Sequence, residues 1–157
     1  LRAKQVSLRE RTDRSGSGDV RATALQADYD SRTQQWCFTL DYEKQKDFEW
    51  YQPSARITIA KIDETRLITL DSICHSYVPD HWPRQGRLQA RTTPGVTLPP
   101  GEYFLHLAIR EKSITLDSVQ EAIVFSVNDP TPFDWKRIPT MQGMVFVDHS
   151  WSVQPSD

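Results

Sequence analysis

Asparagine occurs once in the 157 residues, at Asn128, and Asp129 and Pro130 follow it. No Asn-x-Ser/Thr acceptor exists, so nothing marks the chain as a secreted glycoprotein. Cys37 and Cys74 are the only two cysteines, too few for a disulfide scaffold. Nothing in the sequence brings them together, and two reduced thiols fit a reducing compartment. Glycine numbers six, and none falls in a G-x-x-x-x-G-K-[ST] or G-x-G-x-x-G arrangement. No G-x-S-x-G elbow occurs either. The sequence therefore argues against autonomous nucleotide chemistry and against serine hydrolysis of that type. No apolar run approaches the ~18 residues of a membrane helix, and no basic n-region with an apolar h-region opens the chain. Neither sign of charge dominates: 19 Lys and Arg face 21 Asp and Glu, a net charge of −2. That balance argues against a dedicated nucleic-acid binder.

What is present is a lean, aromatic-rich core. Hydrophobic residues make up 38%, with five Trp, five Tyr and six Phe, and ten prolines punctuate the chain. The dominant period is two, not 3.6. Val20, Ala22 and Ala24 form one alternating set; Trp36, Phe38, Leu40 and Tyr42 form the next. Ala55, Ile57 and Ile59 follow, then Leu88 and Ala90, then Tyr103, Leu105, Leu107 and Ile109. Ile123, Phe125 and Val127 precede a last pair, Val145 and Val147. Turn residues separate the runs, among them Asp28 to Ser31, Pro94-Gly95 and Leu98 to Gly101. Gln45 to Tyr51 is the one short helix candidate. Seven or eight short strands of this kind predict an all-β chain, an antiparallel β-sandwich or jelly roll.

Charge is uneven along the chain. Five basic residues (Arg2, Lys4, Arg9, Arg11, Arg14) and two acidic ones (Glu10, Asp13) lie before residue 15, a local +3 that leaves −5 for the remainder. Ser15-Gly16-Ser17-Gly18 follows, a flexible composition. Residues 1–18 therefore read as a solvated linker, with a phosphate or membrane-surface contact as the sharper alternative, and 19–157 as the domain. Asn128 to Gly143 is Pro-rich and tethers a final strand at about 143–151. A strand on such a tether can pair with its own sheet or a neighbour's, the geometry of domain swapping.

Residues with chemistry divide into several groups. Cys74-His75 with His81 is the nearest approach to a metal cluster, but a second ligand pair is missing, so no metal and no cofactor are expected. The acid pairs Asp41/Glu43, Asp47/Glu49 and Asp63/Glu64 are glycosidase candidates by type only, since the chemistry depends on their separation across a cleft. Trp36 and Tyr103 fit the inward register. Trp50, Tyr51, His75, Tyr77 and Trp82 fall in connections, where flat rings are available to stack on sugar C–H faces. They are equally suited to packing under a loop. Arg56, Thr58, Arg87, Gln89, Arg91 and His106 occupy outward positions and would together line an open sheet face.

Three stretches taken in order resemble a known family. They are Gly16 to Arg21, then Leu98-Pro99-Pro100-Gly101-Glu102-Tyr103-Phe104-Leu105-His106-Leu107, then Ala122 to Val127 with Gly143 to Val147 and Trp151. Their order and spacing resemble the C-terminal carbohydrate-binding domain of Wzt, the nucleotide-binding subunit of ABC transporters that export O-antigen polysaccharide. The resemblance implies an immunoglobulin-like sandwich without catalytic activity. It implies binding of the non-reducing end of a lipid-linked glycan, in the cytoplasm at the inner face of the bacterial inner membrane. The partners would be the O-antigen polysaccharide, the membrane transporter subunit, and a second copy exchanging C-terminal strands. An ATPase domain would precede residue 1. On side-chain chemistry alone, Trp50, Tyr51, Tyr77 and Trp82 would stack on sugar rings. Arg56, Arg87, Arg91, His75 and His106 would bond hydroxyls or an acidic group. The rival expectations are a structural dimerisation module without its own glycan, and a small carbohydrate-active enzyme or viral jelly-roll protein.

Overall fold

The computed structural model describes residues 4–74, 82–128 and 146–147. Where apolar and polar residues alternate, the backbone runs extended and every second side chain turns inward. β4 (Gln35–Lys44) buries Trp36, Phe38, Leu40 and Tyr42 and leaves the residues between them partly exposed. β9 (Gly101–Glu111) buries Tyr103, Leu105, Leu107 and Ile109 in the same manner. β5 (Pro53–Lys61) buries Ile57 and Ile59. β7 (Gln85–Arg91) exposes Gln85, Arg87, Gln89 and Arg91, with Leu88 and Ala90 half-buried. The remaining strands are β1 (Lys4–Ser7), β2 (Arg14–Ser15), β3 (Val20–Asp30), β6 (Arg66–Asp71), β8 (Val96–Thr97), β10 (Ile114–Val127) and β11 (Phe146–Val147).

The first sheet has the order β1-β3-β4-β7 and the second the order β2-β10-β9-β5-β6. Every pairing is antiparallel. The inner faces of the two sheets share one hydrophobic cluster, the core of the sandwich. Trp36 of the first sheet meets Phe125 of the second at 5.4 Å, and Phe125 stacks on Tyr103 at 5.6 Å. Each fully buried Leu, Ile or Phe in such a layer stabilises by about 1.5–3 kcal/mol. The predicted antiparallel sandwich is thus the fold. β11 pairs with β8, Phe146 opposite Thr97, as a separate two-stranded ladder.

Several local expectations change. A bulge between Ala22 and Ala24 shifts β3 by one residue, so Leu25 and Ala27 carry the buried face onward and Ala24 does not. β6 was not expected. As an edge strand it keeps no strict alternation, with Leu67 and Ile68 adjacent and both partly buried. β10 begins at Ile114, well before the expected Ile123, because two bulges interrupt its pattern. No α-helix occurs among the described residues; Gln45 to Tyr51 is irregular, and a single 3-10 turn spans Ser72–Cys74. Cys37 carries a free thiol.

Residues 4–18, part of the segment read as a linker, join both sheets. β1 pairs with β3, β2 pairs with β10, and Leu8 is fully buried. Ser15 to Gly18 forms a tight crossing over β10. Gly16 has a φ of 110°, and a Cβ there would lie 2.6 Å from the Leu116 backbone, so only glycine fits. Ser17 N–H donates to the Thr115 carbonyl at 3.1 Å and Gly18 N–H to that of Leu116 at 2.8 Å.

Asp117 holds this corner. Its Oδ2 accepts from Arg14 Nη1 at 3.1 Å and from the Ala22 N–H at 2.8 Å. Its side chain is 1% exposed and that of Arg14 is 9%. Burial pushes the Asp117 carboxyl above its ordinary value, drawn back only in part by Ala22 and Arg14. Removing one partner of such a pair strands the other without compensation, at about 3–5 kcal/mol. Asp117→Ala is therefore expected to lower the unfolding free energy by about 3 kcal/mol in urea titrations near pH 7. A loss below ~1 kcal/mol, the value of an exposed pair, would show that water reaches the corner.

Candidate functional site

The two sheets turn differently built faces to solvent. The outer face of the second sheet carries a groove of about 240 Å³. Its floor follows the strand register. Thr58 of β5 lies opposite His106 of β9, and Arg56 lies opposite Ala108, which in turn faces Ser118 of β10. Arg66 of β6 and Arg110 of β9 complete the basic lining. Ala108 and Ser118 are short, and this leaves the groove between longer flanking side chains. Arg56 is held by Asp71 on the neighbouring strand, with Nε 2.9 Å from Oδ2.

His106 is 5% exposed and both ring nitrogens are engaged. The Glu121 backbone N–H donates to Nδ1 at 2.7 Å, and Nε2 lies 3.0 Å from Glu64 Oε2. Because Nδ1 accepts, the ring hydrogen sits on Nε2 and donates to Glu64. Glu64 and Glu121 both have left-handed backbones, with φ of 67° and 51°. Non-glycine residues seldom adopt that conformation, and such strain concentrates at functional sites. The Glu121 carboxyl is raised above its usual range, first because it hydrogen-bonds the Glu64 carboxyl. Arg11 fixes the β10 bulge from the other side, with Nη2 donating to the Gln120 carbonyl at 2.9 Å.

The outer face of the first sheet is a polar ladder. Arg87 of β7 makes a two-pronged pair with Asp41 of β4 at 2.7 and 2.9 Å, while Glu43 accepts from Arg9 at 3.0 Å and Gln85 at 2.9 Å. The flanking hollow measures about 400 Å³. Both acids titrate below their ordinary values, chiefly through these hydrogen bonds.

The nine expected binding residues separate accordingly. Arg56 and His106 share the groove on the second sheet. Arg87 and Arg91 lie on the opposite side of the molecule, so the single polar face expected from the sequence is two faces. Trp82 is 2% exposed, within the core. Trp50 is half-buried between Phe48, Tyr42 and Trp82 at centroid distances of 5.7, 5.7 and 5.0 Å. These loop aromatics form the packed cluster that was the alternative reading. Gly86 makes room for it, since a Cβ there would overlap the Tyr42 hydroxyl. Tyr51 is 60% exposed, and Lys112 Nζ lies 5.6 Å from its ring centroid. His75 and Tyr77 lie outside the described residues. Arg66 and Arg110 were missed. Arg110 was within reach, because it continues the outward register of His106 and Ala108.

The paired carboxylates set a pH dependence. A carboxyl whose folded pKa is raised contributes stability that is full below the unfolded value and is lost as pH rises through the folded value. Glu121→Gln removes that loss. The variant is expected to match the parent at pH 4 and to show a higher urea midpoint at pH 7.5. An equal effect at both pH values would mean that the two carboxyls share no proton.

No family model matches the sequence, and no curated protein does. Among solved structures, the chain matches the crystal structure of the C-terminal domain of Wzt with a TM-score of 0.67. The match spans 93% of this chain and 90% of that one at 15% identity. At that identity the likeness speaks for architecture. The chain has the fold of the C-terminal domain of Wzt, the architecture that the order of its sequence motifs implied.

Proposed function

We propose that this chain is a non-catalytic glycan-binding module that recognises the non-reducing end of a lipid-linked O-antigen polysaccharide and couples that recognition to export. The observation that carries the reading is the groove on the outer face of the second sheet. It lies in a sandwich with the fold of the Wzt C-terminal domain. Its lining is polar and short in the middle, with the Thr58, Thr115 and Ser118 hydroxyls and the Gln120 amide available to sugar hydroxyls. Arg56 is already oriented by Asp71, so little side-chain freedom is lost on binding.

Tyr51 extends the site. Its backbone N–H donates to Glu111, the neighbour of groove residue Arg110, at 3.3 Å. An exposed ring at that end is a stacking platform for a sugar leaving the groove.

The charge arrangement favours binding over hydrolysis. Glycosidases hold two carboxyls about 5–9.5 Å apart across a cleft, whereas Glu64 is engaged by His106 Nε2 at 3.0 Å and raises the Glu121 carboxyl beside it. Asp41 and Glu43, held low by Arg87 and Arg9, are poor proton donors near neutrality.

In this reading the partners are the polysaccharide, the transporter's membrane subunit and a second copy exchanging C-terminal strands. The place of action is the cytoplasmic face of the inner membrane. No helix among the described residues is long and apolar enough to cross a membrane.

Protein-detected NMR titration with O-polysaccharide is expected to shift the Thr58, Ala108 and Ser118 amides saturably. Tyr51→Ala is expected to weaken binding about two- to tenfold, the value of one aromatic contact. Unchanged spectra at millimolar glycan would overturn the reading.

A further inference from the structure

We propose that the groove binds an anionic group carried by its glycan, a sugar carboxylate or a phosphate substituent. This rests on the glycan-binding reading above and names the chemistry of that ligand. Three arginines, Arg56, Arg66 and Arg110, line the groove, and no Asp or Glu does. Among the described residues, only Arg56 of the three has a carboxylate at ion-pair distance, Asp71 at 2.9 Å. Elsewhere Arg9 pairs with Glu43, Arg11 with Asp13 and Arg87 with Asp41, and exposed Arg21, Arg84 and Arg91 have no such partner among the described residues; the groove differs in gathering three guanidiniums in one lining. The groove therefore holds an excess of guanidinium that the protein itself does not neutralise.

Arg110 is the most telling of the three. Its Nη2 donates to the Ser113 carbonyl at 3.1 Å, which fixes the plane of the guanidinium. Its Nε is buried without a hydrogen-bond partner. An acceptor in the groove therefore meets the terminal nitrogens of the guanidinium. His106 adds no charge, because its Nδ1 accepts from Glu121. The attraction is thus guanidinium alone, whose planar fork matches the paired oxygens of a carboxylate or phosphate.

The test is calorimetric titration of the whole chain with four probes: a neutral oligosaccharide, one of the same length containing a uronic acid, one bearing a phosphate, and inorganic phosphate alone. Each is run at low and at high salt. The acidic glycans are expected to bind about tenfold or more tighter than the neutral one, with the advantage shrinking as salt rises. Arg66→Gln and Arg110→Gln should each weaken the acidic glycans by a larger factor than the neutral one, and so remove most of that advantage. Arg66 is exposed, so its variant reports on charge without disturbing the core. The stronger of the two acidic arms identifies the anion. Equal, salt-independent binding of neutral and acidic glycans overturns the charge inference and leaves the glycan reading standing. Binding of inorganic phosphate with no glycan bound overturns both.

Discussion

One carboxylate joins the three strands on which the sandwich closes. β1 ends at Ser7, opposite Ala24, so on that edge β3 has no strand partner beside Ala22, which pairs with Tyr42 of β4 on its other side. Asp117 reaches in from β10 and takes the Ala22 N–H together with Arg14. That single side chain satisfies an orphaned backbone donor of one sheet, pairs the cation of a second strand and seals the corner where the sheets meet. Burial works against its charge, and two hydrogen bonds to one oxygen are what make the position tolerable. The bulge that contains Glu121 lies further along the same strand. The corner and the groove edge are thus two irregularities of β10, held in register by the regular residues between them.

The outer faces follow a simple electrostatic rule. On the first sheet every described arginine of the Asp41–Glu43 patch finds an acid, and the patch is internally complete. On the second sheet the acids are drawn aside. Asp71 serves Arg56, and Glu64 and Glu121 are occupied with His106 and each other. What is left facing the groove is cationic and rich in hydroxyls. Recognition surfaces gain specificity from groups placed before the ligand arrives, and here the acids do the placing.

Much of the fold was readable from side-chain alternation, because a half-buried antiparallel strand leaves a period of two in the sequence. β4, β5, β7 and β9 were found on that signal alone. The losses have physical causes. A bulge adds a residue without leaving a turn signal, which hid the first half of β10 and misplaced Ala24. β6, at an edge, has two adjacent half-buried residues and resembled a loop. Ser15-Gly16-Ser17-Gly18 has the composition of a linker, yet its glycine is demanded by a backbone approach that composition cannot express. The site was half readable. Arg56 and His106 follow from outward register, but strand order decides that Arg87 and Arg91 face the other way. Trp82 shows the limit of reading aromatics by connection, since a residue between strands is still able to fill the core.

The N-terminal segment has a mechanical side. β1 is laced to the first sheet by four residue pairs, and a few residues later β2 is laced to the second. A force drawn on the chain at Lys4 must peel β1 from β3 and then work against Arg14 before it reaches the core. Tension entering there meets the first layer and then the second, so the two sheets resist a pull in turn.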